Sequence, residues 1–232
     1  MDLKIKGFQK ISLIDYPGKV CSVIFLAGCN FRCPYCQNPD LIKKPNKIKD
    51  IAFERVLNYM IKKRKWIDGI CITGGEPTIY NDLPAFIQKV KKKGFLIKLD
   101  TNGTNPDMLE HLIRNCLIDY VSMDIKSPLE KYDIAANTKV NKSAIRRSVE
   151  LIKKSGLDYE FRTTVVPTLF KGKDALAIGE WLNGASKFFI QQFRPTVTLN
   201  KSYQKKQPYS EAELNELKEI MTPFFESVEI RT

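Results

Sequence analysis

The sequence predicts an α/β fold, an incomplete (β/α)6 barrel: an open, TIM-like array of parallel strands with outer helices and an N-terminal hairpin. Three observations carry this expectation. Short apolar runs alternate with amphipathic stretches of 3.6-residue period along most of the chain. Repeated β-α alternation generates a parallel sheet through right-handed crossovers, with helices outside. The 232 residues supply about six such units, fewer than the eight units and roughly 250 residues of a closed barrel.

Strands are expected at residues 20–27, 69–73, 95–100, 120–125, 159–165, 188–193 and 228–231, and helices at 51–65, 82–93, 106–114, 143–155, 173–183 and 210–225. Asp50 and Ser210 precede two of these helices and carry the short oxygen-bearing side chains that cap N-termini. No Pro/Gly/Ser-rich linker divides the chain, so one domain is expected over 1–232, with 1–19 as the hairpin segment and 20–232 as the partial barrel.

A hydrophobic content of 43% with 28% charged residues is that of a soluble protein, and no apolar run approaches the roughly 18 residues of a membrane span. The opening MDLKIKGFQK is basic but lacks an apolar core and cleavage site. A cytoplasmic location is therefore expected, and there six cysteines serve metals or chemistry sooner than disulfides. The net charge of +12 would attract nucleic acid, an acidic protein or an anionic cofactor. Lysines in runs such as Lys62 to Lys65 and Lys91 to Lys93 read more simply as solvated helix ends, so nucleic acid is not the expected partner.

Chemistry concentrates after the first predicted parallel strand. In Gly28-Cys29-Asn30-Phe31-Arg32-Cys33-Pro34-Tyr35-Cys36 three thiols, spaced by three and then two residues, share one tight loop and can converge on one metal centre. A structural zinc site would want a fourth Cys or His at comparable spacing. Cys71 belongs to a predicted buried strand, and His111, the one histidine, sits on a predicted helix away from every strand end. Three cysteines on a cubane cluster leave one iron free to bind a substrate. Cys21, Cys71 and Cys116 have no partner spacing and read as small buried hydrophobes. Further polar groups collect at strand C-terminal ends, the face where parallel α/β folds carry chemistry: Gly74-Gly75-Glu76-Pro77, Thr101-Asn102-Gly103, Asp124 with Lys126, and Gln191 with Gln192. The two glycines allow the backbone close to a ligand.

The C-x3-C-x2-C motif, with Tyr35 before its last cysteine, resembles the signature of the radical S-adenosylmethionine (SAM) superfamily. Thr73-Gly74-Gly75-Glu76-Pro77 resembles the superfamily's second element. The stretch from Gly7 to Pro39, with Asp15-Tyr16-Pro17-Gly18 leading into the cysteine loop, resembles the N-terminal part of glycyl-radical-enzyme activases, most closely those of anaerobic ribonucleotide reductases. The resemblance implies a [4Fe-4S] cluster on Cys29, Cys33 and Cys36, and SAM held by Tyr35, Cys36, Gln37, Gly74, Gly75, Glu76, Thr101, Asn102, Asp124, Lys126, Arg162 and Gln191. It also implies reductive cleavage of SAM to a 5′-deoxyadenosyl radical that takes an α-hydrogen from a glycine of a partner enzyme. Asp15 would contact the target glycine loop, flavodoxin or ferredoxin would be the reductant, and Asp100 with Asp124 could hold a monovalent cation. Two other readings stay open on sequence: a radical enzyme acting on a small molecule, like 7-carboxy-7-deazaguanine synthases, or on RNA; and a non-catalytic iron-sulfur electron carrier. RNA binding would show aromatics interleaved with basic residues, and Tyr203, Lys205, Lys206 and Tyr209 approach that pattern only loosely.

Overall fold

The computed structural model describes residues 3–232; the first two residues of the 1–19 segment lie outside the described residues. β1 (Ile5–Ser12) and β2 (Cys21–Leu26) form an antiparallel hairpin. β2 then opens a run of parallel neighbours: β3 (Gly69–Gly74), β4 (Leu96–Thr101), β5 (Tyr120–Asp124), β6 (Asp158–Val165), β7 (Ala185–Gln192) and β8 (Phe225–Arg231). The eight strands lie in sequence order, and among the described residues β1 and β8 do not pair, so the sheet is open. The hairpin therefore uses the first strand of the parallel array as its second arm.

Six crossovers carry the helices: α1 (Pro39–Lys43) and α2 (Phe53–Lys62), α3 (Leu83–Lys91), α4 (Pro106–Arg114), α5 (Tyr132–Ala136) and α6 (Lys142–Lys153), α7 (Gly172–Leu182), and α8 (Glu211–Met221). Ser210 caps α8 in a capping box with Glu213. The expected cap at Asp50 does not form. α2 begins later, after Ala52, with no side-chain cap, and Asp50 instead pairs with Lys6 at 2.7 Å.

Side chains alternate across a strand, and here the alternation separates two chemistries. Ile97, Leu99, Val121, Met123, Phe161, Phe188 and Ile190 join one apolar core. The opposite face carries Lys98 and Asp100 on β4, Tyr120, Ser122 and Asp124 on β5, and Glu160, Arg162 and Thr164 on β6. Fully covered parallel strands usually read apolar on both faces; these keep charge on one. A smaller cluster of Tyr16, Cys21, Val23, Cys71 and Tyr120 closes the end where the strands begin, leaving the polar face to open at the C-terminal ends. Cys21 and Cys71 are buried as expected, whereas Cys116 is exposed, because it sits in the turn after α4 with φ of 51°.

Candidate active site

The cysteine loop leaves β2 through Gly28, whose φ of 77° is strained for residues with a Cβ. Gly75 lies directly against it: a Cβ there would fall 1.6 Å from the Gly28 carbonyl oxygen, and one on Gly74 would fall 2.2 Å from the Leu26 nitrogen. Backbone bonds run across the contact, Gly75 N to Leu26 O at 2.9 Å and Glu76 N to Gly28 O at 2.8 Å. The glycines therefore serve first to seat the turn after β3 on the cysteine loop.

Glu76, 1% exposed, accepts from Thr78 N at 3.1 Å, Thr78 Oγ1 at 2.6 Å, Thr101 Oγ1 at 2.7 Å and Asn102 N at 2.6 Å. Burial raises its pKa against these bonds. With its carboxylate so engaged, contact between this turn and a ligand falls chiefly to peptide groups. Asn102 donates to Asn30 Oδ1 at 2.8 Å and accepts from Thr104 Oγ1 at 2.7 Å, while Asn30 donates to Thr104 Oγ1 at 2.7 Å. This amide-hydroxyl triangle ties the loop to the end of β4.

The three thiols line one cleft of about 910 Å³, its mouth included. Every sequence-predicted cluster or cofactor residue lines it: Cys29, Cys33, Tyr35, Cys36, Gln37, Gly74, Gly75, Glu76, Thr101, Asn102, Asp124, Lys126, Arg162 and Gln191. Asp15 does not. It accepts from Ser12 Oγ at 2.5 Å and lines a second cleft, which shares Gln37, Arg162, Thr164 and Gln191 with the first. Sequence reasoning missed Phe31, Asn38, Ile42, Thr73 and Thr164 in the wall. Of these Thr164 was recoverable, since it lies two residues beyond Arg162 and so on the same strand face. His111 is exposed on α4.

Among the described residues no group of three or more His, Cys, Asp and Glu side chains is placed to hold a single metal ion. A cubane fits the thiols better, because each cysteine bonds a different iron. Burial pushes the Cys29 thiol up to about 12 and the Cys33 thiol up to about 11, and raises Cys36 as well. They therefore hold their protons until a metal displaces them.

Behind the thiols runs a charged ladder. Arg162 donates from Nε to Asp124 Oδ1 at 2.7 Å and from Nη2 to Asp100 Oδ2 at 3.1 Å. Lys126 meets Asp124 Oδ2 at 3.1 Å, and Lys98 pairs with Asp100 Oδ1. Burial opposes ionisation of both carboxylates, but Arg162 and then the lysines overcome it and hold Asp100 and Asp124 below the usual carboxylate range. All four carboxylate oxygens thus already face a cationic side chain, an arrangement that does not fit a dedicated monovalent-cation site. Lys126, also close to Cys33 and Tyr35, offers a positive group for a ligand carboxylate.

A partial parallel barrel with three cysteines on the loop after its first parallel strand, backed by a Gly-Gly-Glu turn, defines a class of iron-sulfur radical enzymes. Residues 23–180 match the model of the Radical SAM superfamily. MJ1227 of Methanocaldococcus jannaschii, named as a glycyl-radical enzyme activating enzyme, is 36% identical over 100% of this chain and 97% of its own length. A pyruvate formate-lyase-activating enzyme of Clostridium pasteurianum is 26% identical over 74% of this chain and 72% of its own. The solved structure of Streptococcus suis SuiB bound to S-adenosylmethionine superposes with a TM-score of 0.66 over 88% of this chain and 48% of that one, at 16% identity. The chain belongs to the radical SAM superfamily, among its glycyl-radical-enzyme activating enzymes.

Proposed function

We propose that this enzyme activates a glycyl-radical enzyme, an anaerobic ribonucleotide reductase by the resemblance of residues 7–39, in anaerobic cytoplasm. The observation that carries the reading is the continuity of the two clefts. One holds the thiols and cofactor candidates, and the other, rimmed by Asp15 and Ile14, opens beside it through Gln37, Arg162, Thr164 and Gln191. A glycine on a peptide loop entering past Asp15 reaches the shared wall without crossing the apolar core.

Cys29, Cys33 and Cys36 would hold a [4Fe-4S] cluster, which when bound supplies the electron that splits SAM into methionine and a 5′-deoxyadenosyl radical. Lys126 orients the SAM carboxylate, and peptide groups of residues 74–76 meet its ammonium. Arg162 keeps Asp124 ionised and Lys126 fixed. Tyr35 and Gln37 close the wall near the cysteines. Asp15 contacts the incoming loop, and the loop itself covers the reacting hydrogen against water. Flavodoxin or ferredoxin serves as reductant. With the carboxylate oxygens of Asp100 and Asp124 engaged by Arg162 and the lysines, no monovalent cation is assigned.

The test is anaerobic reconstitution followed by SAM and dithionite, with 5′-deoxyadenosine measured beside a Cys33→Ala control, then electron paramagnetic resonance of an added anaerobic ribonucleotide reductase. A glycyl doublet dependent on all three cysteines supports the reading. Nucleoside formation without a doublet on any glycyl-radical enzyme would redirect it to a small-molecule or RNA substrate, and a reducible cluster without SAM cleavage to an electron carrier.

A further inference from the structure

Half of the chain's net charge lies beside the cysteine loop. Residues 39–50 and 194–207 contain eight Lys or Arg against two Asp, a local charge of +6 within the total of +12. One of those acids, Asp50, is already paired with Lys6. The two segments are far apart in sequence, but the fold packs both on the loop. Asn200 N donates to the Pro34 carbonyl at 2.9 Å, Lys43 Nζ to the Leu199 carbonyl at 2.6 Å, and Gln37 Nε2 to the Arg194 carbonyl at 3.2 Å. Lys44, Lys47, Lys201 and Lys205 are exposed, and among the described residues their ammonium groups form no ion pair: each projects from a short helix or turn whose backbone makes the local bonds.

The basic runs Lys62 to Lys65 and Lys91 to Lys93 stand before β3 and β4, at the end of the sheet opposite the cysteines. General solubility accounts for charge anywhere on the surface; it does not account for two remote segments meeting, nearly free of acids, on the cysteine loop.

We infer that this face, built from residues 39–50 and 194–207, docks an acidic protein that delivers one electron to the centre held by Cys29, Cys33 and Cys36. The inference rests on the cluster assignment above. In the transfer the reduced donor loses one electron and the centre gains it, and no bond forms or breaks. Complementary charge accelerates encounter and makes it salt-dependent. Nucleic acid fits the face less well, because stacking platforms are missing: the Tyr203 ring is covered by Lys206 at 4.7 Å and Tyr209 donates its hydroxyl to the Phe170 carbonyl.

The probe is an oxidised flavodoxin, whose affinity for the reconstituted protein is measured by calorimetry at two salt concentrations, without electron transfer. A K44Q/K47Q/K201Q/K205Q variant is expected to bind at least tenfold more weakly at low salt, while K62Q/K63Q/K65Q binds like the parent. Stopped-flow bleaching of the cluster by reduced flavodoxin should slow in parallel, with reduction by dithionite unchanged. Cluster absorbance, read beforehand, separates failure of this inference from failure of the cluster assignment. Equal affinity in the two variants overturns the inference. So does loss of transfer-RNA binding in the first variant with flavodoxin binding retained, which would make the face an RNA surface.

Discussion

A Cβ placed on Gly75 would lie 1.6 Å from the carbonyl oxygen of Gly28, so the Gly-Gly-Glu turn and the cysteine loop meet backbone to backbone. Gly75→Ala must push the two apart, an overpacking cost of about 1–3 kcal/mol, and the displaced segment is the one that presents Cys29. We expect reconstituted iron to fall below half of the parent value. Gly94→Ala is the control: its φ is 79° but nothing lies within 4 Å of the added carbon, so it should cost only about 1–2 kcal/mol of backbone strain and keep its iron. Equal iron contents in both variants would show that the contact does not position the cysteines.

This contact also shows what the sequence discloses and what it hides. Two adjacent glycines after a strand mark a close approach, but only the fold tells that the approaching partner is the Gly28 peptide. The seven parallel strands were legible because each combines an apolar run with flanking turn residues. The charged inner face was legible only in part: Asp100, Asp124 and Arg162 stood out at strand ends, whereas Lys98 and Glu160 read locally as ordinary polar alternation. The importance of these residues arises from register, which sets Asp124 beside Arg162 and Asp100 beside Ser122. The Asn30, Asn102 and Thr104 triangle joins residues over 70 positions apart, and no local pattern announces it. Asp50 misled because a better partner, Lys6, comes from β1, more than forty positions earlier in the chain.

The triangle predicts a role for Asn30. Asn30→Ala removes the two triangle bonds that Asn30 makes, each a net contribution of about 1 kcal/mol, and leaves the Asn102 amide, still held by Thr104, without its Asn30 acceptor in the cleft. The expected result is a threefold to tenfold weaker apparent affinity for SAM with cluster content unchanged, measured by equilibrium dialysis of the reconstituted protein. Loss of the cluster itself would place Asn30 among the residues that build the loop instead.

Glu160, on β6, ties β5 to the edge strand β8 across the polar face. It is fully buried and receives Arg231 from β8 in a bidentate pair at 2.7 and 2.8 Å, with Ser122 Oγ at 2.7 Å and Tyr120 Oη at 3.1 Å from β5. The Arg231 side chain is 32% exposed, but its removal leaves a fully buried carboxylate without its closest cation, at about 1–3 kcal/mol. Arg231→Ala should therefore lower the melting temperature more than Arg147→Ala, whose partners Asp107 and Glu110 are on the surface and whose pairs are worth about 0–1 kcal/mol. Similar shifts in the two variants would mean that Glu160 finds other donors when β8 lets go.

The same ladder sets the response to acid. Asp100 and Glu160 are buried and Asp124 half-buried, which opposes ionisation, yet Arg162 holds the two aspartates and Arg231 holds Glu160 below the ordinary carboxylate range. A carboxylate with a depressed folded pKa contributes stability that is present above its unfolded value of about 4 and is lost as pH falls through the folded value. The protein should therefore lose stability progressively below about pH 5. Arg162→Gln removes the largest attraction that depresses Asp100 and Asp124, so the variant should be the less stable protein at pH 7, and the gap should narrow below about pH 4, where the unfolded carboxyls take up protons that the folded parent does not. Urea unfolding followed by circular dichroism between pH 7 and pH 3 measures this directly. Parallel stability curves over that range would mean that Arg162 supports the fold by packing and not by holding the two carboxylates ionised.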